Sequence, residues 1–226
     1  MITIERWVRG DHTSADPVPV QLRFVTGQTG DEYVTRAGWR LATLERCPLH
    51  RAGGCGFARH GTYKRRTPAG THIARWYCPQ GHCTFSLLPD HLAARFPGTL
   101  AQIERVVAFV ETARSLEAAA DALRPDPVTL ASALRWVTRR TRAVRTILAG
   151  AVSLQPQTLL GCAPTIAAVR ARLGGGCVLQ TLRGQLARHL HALRRPLGFA
   201  YRGGAGRAPR GARQHDLGPD PPPASP

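Results

Sequence analysis

Lysine is almost missing from this sequence, and acid is missing from most of its second half. Of 31 basic residues in a chain of 226, Lys64 is the only lysine. Residues 127–213 carry 15 arginines and no Asp or Glu, whereas residues 1–126 carry 16 basic and 12 acidic side chains. After that stretch only Asp216 and Asp220 remain. No apolar run approaches the ~18 residues of a membrane-spanning helix. Residues 1–20 have no apolar signal core, so the expectation is a cytoplasmic protein. Six cysteines are too few for a disulfide scaffold of this length. In a reducing compartment, closely spaced cysteines more often bind metal. No GxSxG, phosphate-loop or dinucleotide fingerprint is present.

What is present is charge. A net charge of +17 and a pI near 11.3 call for a polyanionic partner. The pattern along the chain predicts an α+β protein in four parts. Residues 1–46 read as a loosely ordered arm, with "VPVQLRFV" able to form a strand and a short hairpin or helix near "RAGWRLATLER". Residues 47–88 are turn-rich. "GTYKRR" and "HIARWYC" read as strands around a "TPAG" turn, and "TFSLLP" as a closing strand.

Residues 89–200 change to a helical period. Thr99 and Gln102 form a capping box for a helix to about Arg114, and Ser115 caps "LEAAADAL". Asp126 and Pro127 are a good N-cap and first residue for a helix over 127–149. "GGG" at 174–176 separates weaker helices near 164–173 and 178–195. Residues 201–226, rich in Gly, Arg and Pro, read as a disordered tail.

Four cysteines and two histidines flank the predicted hairpin, in "CPLHRAGGCG" (47–56) and "CPQGHC" (78–83). Zinc ribbons place thiolates and imidazoles on two such turns, so that one Zn²⁺ closes a tetrahedron. Cys47 pairs with Cys55 or His50, and Cys78 with His82 or Cys83. Each cluster opens with Cys-Pro and holds glycine beside a candidate ligand, as a tight knuckle requires. Cys162 and Cys177 lack such neighbours and read as small buried hydrophobes. His60 and His72 read as surface or packing residues of the hairpin.

"CGFARHGTY", "IARWYCP" and above all "TFSLLPD" resemble the zinc ribbon of a bacterial transposase-associated family of unknown function. Its members carry cysteine knuckles, then "RHG-x-Y", then "R-x-x-C-x-x-C-x-x-TFSLLP", followed by a helix-turn-helix region. The resemblance covers about 47–145. Where the family pattern has its last cysteine, this chain has Gly81, with His82 adjacent and Cys83 one further on. The resemblance therefore favours Cys47, Cys55, Cys78 and His82 as ligands of a structural Zn²⁺, with His50 and Cys83 as alternates.

Residues 115–145 fit helix, turn, helix, with Leu116, Ala119, Ala120 and Leu123 packing on Leu130 and Leu134. In such a motif the early residues of the second helix meet base edges. Here these are Thr129, Ser132 and Arg135, while Arg139, Arg140, Arg142 and Arg145 suit phosphates. Trp136 reads as a core anchor. Transposases that use Mg²⁺ need three carboxylates on an α/β core, and the stretch between Asp126 and Asp216 has no acid to supply them. The expectation is thus a non-enzymatic, transposase-like protein that binds double-stranded DNA, with a separate recombinase as a further partner. An RNA-binding zinc ribbon and a nonfunctional remnant of a mobile element are the alternatives.

Overall fold

From Ala74 to Cys78 the segment HIARWYC alternates buried and half-buried side chains, the period of a strand. It forms β3 (His72–Cys78), which lies inside a four-stranded sheet. The structure is a computed structural model and describes residues 20–200. The remaining strands are β1 (Gln21–Phe24), β2 (Ala58–Lys64) and β4 (Cys83–Pro89), in the order β1-β4-β3-β2. β2 and β4 run antiparallel to β3, whereas β1 lies parallel to β4.

The parallel strand corrects the expectation of a loosely ordered arm over its described part. β1 is a sheet strand, and a helix α1 (Gly30–Thr35), closed by a Thr29/Glu32 capping box, follows it. Tyr33 of α1 is fully buried, and its hydroxyl donates to the His72 carbonyl at 3.0 Å. A 3-10 turn, Gly38–Arg40, sits where a short helix or hairpin was expected. Residues 1–19 and the tail expected at 201–226 lie outside the described residues.

Six helices follow the sheet: α2 (Leu100–Thr112), α3 (Leu116–Leu123), α4 (Leu130–Leu154), α5 (Pro156–Leu159), α6 (Ile166–Leu173) and α7 (Val178–Gln185). The capping box Thr99/Gln102 opens α2, and Ser115 caps α3, both as the sequence predicts. α4 starts later and ends later than expected. Thr129 is its N-cap, so Asp126 and Pro127 stay in the preceding turn. Its early buried residues, Ala133 and Val137, pack with Ala120 of α3. Its later ones, Val144, Ile147, Leu148 and Ala151, enter the main core with α2, α6 and α7. Of the residues expected at the α3–α4 seam, Leu130 is exposed instead. None of the described helices is long and apolar enough to cross a membrane.

Residues 90–99, after β4, join the sheet to the helices, and arginines hold them. Arg183 of α7 has no exposed surface. It donates to the carbonyls of Leu197 (3.0 Å), Asp90 (3.1 Å), Pro196 (2.8 Å) and Leu92. Arg65 donates to the carbonyls of Ala93 and Phe96. Arg23 of β1 makes a two-pronged pair with the Asp90 carboxylate, at 2.8 and 3.0 Å. A guanidinium presents five donors in a rigid fork, which suits this density of acceptors. Burial pushes the Arg183 pKa down to about 9, so the group stays charged at neutral pH.

The acid-free half borrows its carboxylates from α2. Glu104 is buried and accepts from Arg170 (2.7 Å), the Cys177 thiol (3.1 Å) and the Leu179 N–H at the start of α7 (2.9 Å). Glu111, two turns on, accepts from the Ile166 and Ala167 N–H groups at the start of α6 (2.8 and 3.2 Å). Two helix N-termini, each with unpaired N–H groups and a positive dipole end, are thus closed by one face of α2.

His91 lies in the same junction, buried, its ring 5.3 Å from that of Tyr33. Neither ring nitrogen has a hydrogen-bond partner among the described residues. Burial, then the positive charges of Arg183 and Arg65, push its pKa down to about 4. The folded state therefore favours neutral imidazole, while the unfolded chain takes up the proton near pH 6.5. The resulting stability is complete above that value and is lost as pH falls from about 6.5 towards 4. The loss reaches roughly 3 kcal/mol at the lower end. Chemical denaturation between pH 4 and 7 should show that loss in the parent protein, and His91→Phe should lack it.

Candidate metal centre and arginine face

The strand pairing decides where the second cysteine cluster can go. Cys78 ends β3 and Cys83 starts β4, directly opposite each other, with residues 79–82 turning between them. On this face Cys78 continues the row Ala74, Trp76, and Cys83 the row Phe85, Leu87. The segment before β2 lies against the same cluster through Cys47 and Cys55.

Cys47, His50, Cys55 and Cys78 come together so that their ligand atoms all lie within 4.8 Å of one another. The His50 Nδ1 is 3.6 Å from the Cys47 Sγ and 3.3 Å from the Cys78 Sγ. A cation bound tetrahedrally to sulfur at about 2.3 Å and to nitrogen at about 2.0 Å sets its donors about 3.5–3.8 Å apart. The Cys47–His50 spacing falls in that range and the Cys78–His50 spacing just below it, and the four residues could hold a metal ion. The three cysteines are buried and His50 is half-buried.

The group differs from the set favoured on the sequence in one residue, and the arrangement is three plus one. His50, an alternate there, stands with the three cysteines. His82 is outside the group, exposed, with a positive φ of 44° and its Nδ1 3.5 Å from the Tyr77 hydroxyl. Cys83 is also outside.

Gly81 shows why the turn contributes only Cys78. A side chain there would run into Leu49, and its Cβ would stand 3.7 Å from the His50 ring. The imidazole arriving from the first segment occupies the neighbourhood that a residue at position 81 would have filled. The Gly81 N–H donates to the Cys78 Sγ at 3.3 Å. Burial opposes ionisation of Cys78, but this N–H and the neighbouring thiols outweigh it and lower the pKa. Burial raises the Cys47 and Cys83 thiols, and the nearby Cys78 sulfur adds to both.

The other candidates have structural duties. His72 stacks on Trp39 at 4.7 Å, and His60 lies 5.6 Å from Tyr77. Cys162 and Cys177 are half-buried against the main core. Burial, with the Glu104 carboxylate beside it, pushes the Cys177 pKa up to about 12.

The residues proposed on the sequence to meet nucleic acid divide between the two sides of α4. Arg135, Arg139, Arg142 and Arg145 are exposed. At 100° per residue they fall within one stripe, opposite the buried Val137, Val144 and Ala151. Arg140 is on the buried side, 5% exposed, with its guanidinium 4.0 Å from the centre of the Trp136 ring. Its position corrects the expectation of a phosphate contact. Thr129 and Ser132 form the helix cap: the Ser132 N–H donates to the Thr129 hydroxyl, and the two hydroxyls are 3.0 Å apart. Sequence reasoning missed the Arg183 hub and the two capping glutamates, since each acts across more than fifty residues of chain.

Metal content should separate the two histidines. The purified chain should carry one metal ion, measured by plasma mass spectrometry against protein concentration. His50→Ala should lose it, and His82→Ala should keep it. Comparison with protein-family models, curated proteins and solved structures gives no match to this chain.

Proposed function

We propose that residues 47–88 form a zinc ribbon that orients a DNA-binding helical domain, transposase-like but without a catalytic core. Three thiolates and one imidazole are a common structural zinc set, and four protein donors leave no position open for water. When bound, Zn²⁺ supplies cross-linking: it ties the 47–55 segment, which has no regular structure, to the end of β3. So small a unit has little core of its own, and a metal tie offsets that deficit.

The observation that carries the nucleic-acid reading is the stripe of Arg135, Arg139, Arg142 and Arg145 on α4, in a chain segment without a single acid. Guanidinium groups at helical spacing match a row of phosphates. α3 and α4 pack as a helix pair, and the start of α4, from its cap Thr129 to Arg135 in the second turn, offers exposed side chains to a groove. The connection, residues 124–129, is longer than the turn of about 3–4 residues in the usual motif. The reading therefore rests on the charged face rather than on the turn. Two carboxylates of α2, Glu104 and Glu111, are committed to the N-termini of other helices, which supports a binding role for that face over a catalytic one.

Two measurements test this. Replacing Arg135, Arg139, Arg142 and Arg145 by alanine should weaken duplex binding at every sequence. It should also flatten the plot of log affinity against log salt by about 0.9 for each phosphate contact removed. Arg140→Ala should lower the melting temperature and leave that slope unchanged. Unchanged binding by the fourfold variant, or preference for folded RNA over duplex DNA, would overturn the reading. Separately, a chelator should release one zinc per chain and raise hydrogen exchange across 47–88, with α2 to α7 still protected.

A further inference from the structure

Cys83 is a thiol with no place in the metal group, held beside one of its members. The register sets it directly across from Cys78, as the last pair of the β3–β4 ladder. Opposite residues of an antiparallel pair point to the same face, and both sulfurs belong to the same buried cluster. Cβ atoms at such positions stand about 4.5–5.5 Å apart, and a disulfide wants about 3.8 Å. The end of a ladder, next to the turn at 79–82, can close that difference.

We propose that Cys78 and Cys83 form a cross-strand disulfide under peroxide, and that this bond releases the metal. Cys83, half-exposed, is the more accessible of the two sulfurs, since Cys78 is fully buried. Its thiol takes oxygen from hydrogen peroxide, giving S–OH and one water. The Cys78 sulfur leaves the metal and attacks the oxidised sulfur; the S–S bond forms and hydroxide departs. The two sulfurs lose two electrons, and the peroxide gains them.

The consequence follows from the three-plus-one arrangement. Cys78 is the one member of the group that belongs to the sheet; Cys47, His50 and Cys55 all lie on the segment before β2. Losing Cys78 leaves three donors and cuts the link between that segment and β3. Cys47 and Cys55 also line an open cavity of about 610 Å³, rimmed by Arg46, Arg51 and Gly53, which gives the ion an exit.

The inference rests on the metal assignment above, and the test separates the two. The full chain, with its metal content measured, is treated with hydrogen peroxide. Metal release is followed with a coloured chelator, and disulfides are mapped by mass spectrometry of peptides under non-reducing conditions. The expected result is a Cys78–Cys83 bond forming in step with metal release, both reversed by a thiol reductant plus metal. Cys83→Ser should bind one metal ion as the parent does and release it several-fold more slowly. Release at the parent's rate from that variant, or a Cys47–Cys55 bond with Cys83 recovered as a thiol, overturns the inference while leaving the metal assignment in place. A metal-free chain that still forms the Cys78–Cys83 bond upholds the disulfide and removes the metal assignment.

Discussion

A guanidinium with no exposed surface, Arg183, joins the two halves of this chain. Its donors reach carbonyls of the segment after β4 and of the segment that ends the described chain. Taking a positive charge out of water costs several kcal/mol unless its donors are satisfied. Here they are satisfied by backbone that would otherwise carry unpaired carbonyls in a loop. The cost of the charge and the cost of the loop offset each other. Arg65 and Arg23 repeat the device from the sheet side, so the junction is fixed by three cations around one irregular stretch.

This fixation gives the charge imbalance a structural reading. A stretch with 15 arginines and no acid repels itself unless something offsets it. Two glutamates of α2 do so locally, each at the N-terminus of another helix and one of them also on Arg170. The arginines of the exposed α4 stripe have no such acid within their own segment. Arg140, the residue after Arg139, lies against Trp136 inside the fold. Arginine thus serves two ends in one helix, and the side of the helix decides which.

The candidate metal group follows the same logic of few ties across long distances. An irregular loop supplies three of its side chains and a strand end supplies one, so a metal ion held there would fix the loop to the sheet rather than stiffen either alone. The sheet also carries β1, which brings residues from early in the chain against β4 and seats Tyr33 under β3. The edge of the metal cluster is therefore built from three separated stretches of sequence.

Local pattern was enough for much of this. The strands β3 and β4, the helices α2 and α3 with their caps, the Gly-rich break at 174–176 and three of the four grouped ligands are all legible in the sequence. Each rests on spacing, capping chemistry or turn residues acting within a few positions. The structure had to decide the rest, because it depends on contacts between distant residues. His50 rather than His82 stands in the group because the β3–β4 turn sets His82 beside Tyr77, while the His50 ring lies next to Gly81 and Cys78. Arg140 is buried, unlike its neighbours on the exposed stripe, because a long helix must bury one side once α2 and α3 pack on it. The parallel pairing of β1 with β4 and the Arg183 junction could not be read from composition or period, although VPVQLRFV reads as able to form a strand. Both are pairings across more than sixty residues, and nothing within a local window encodes them.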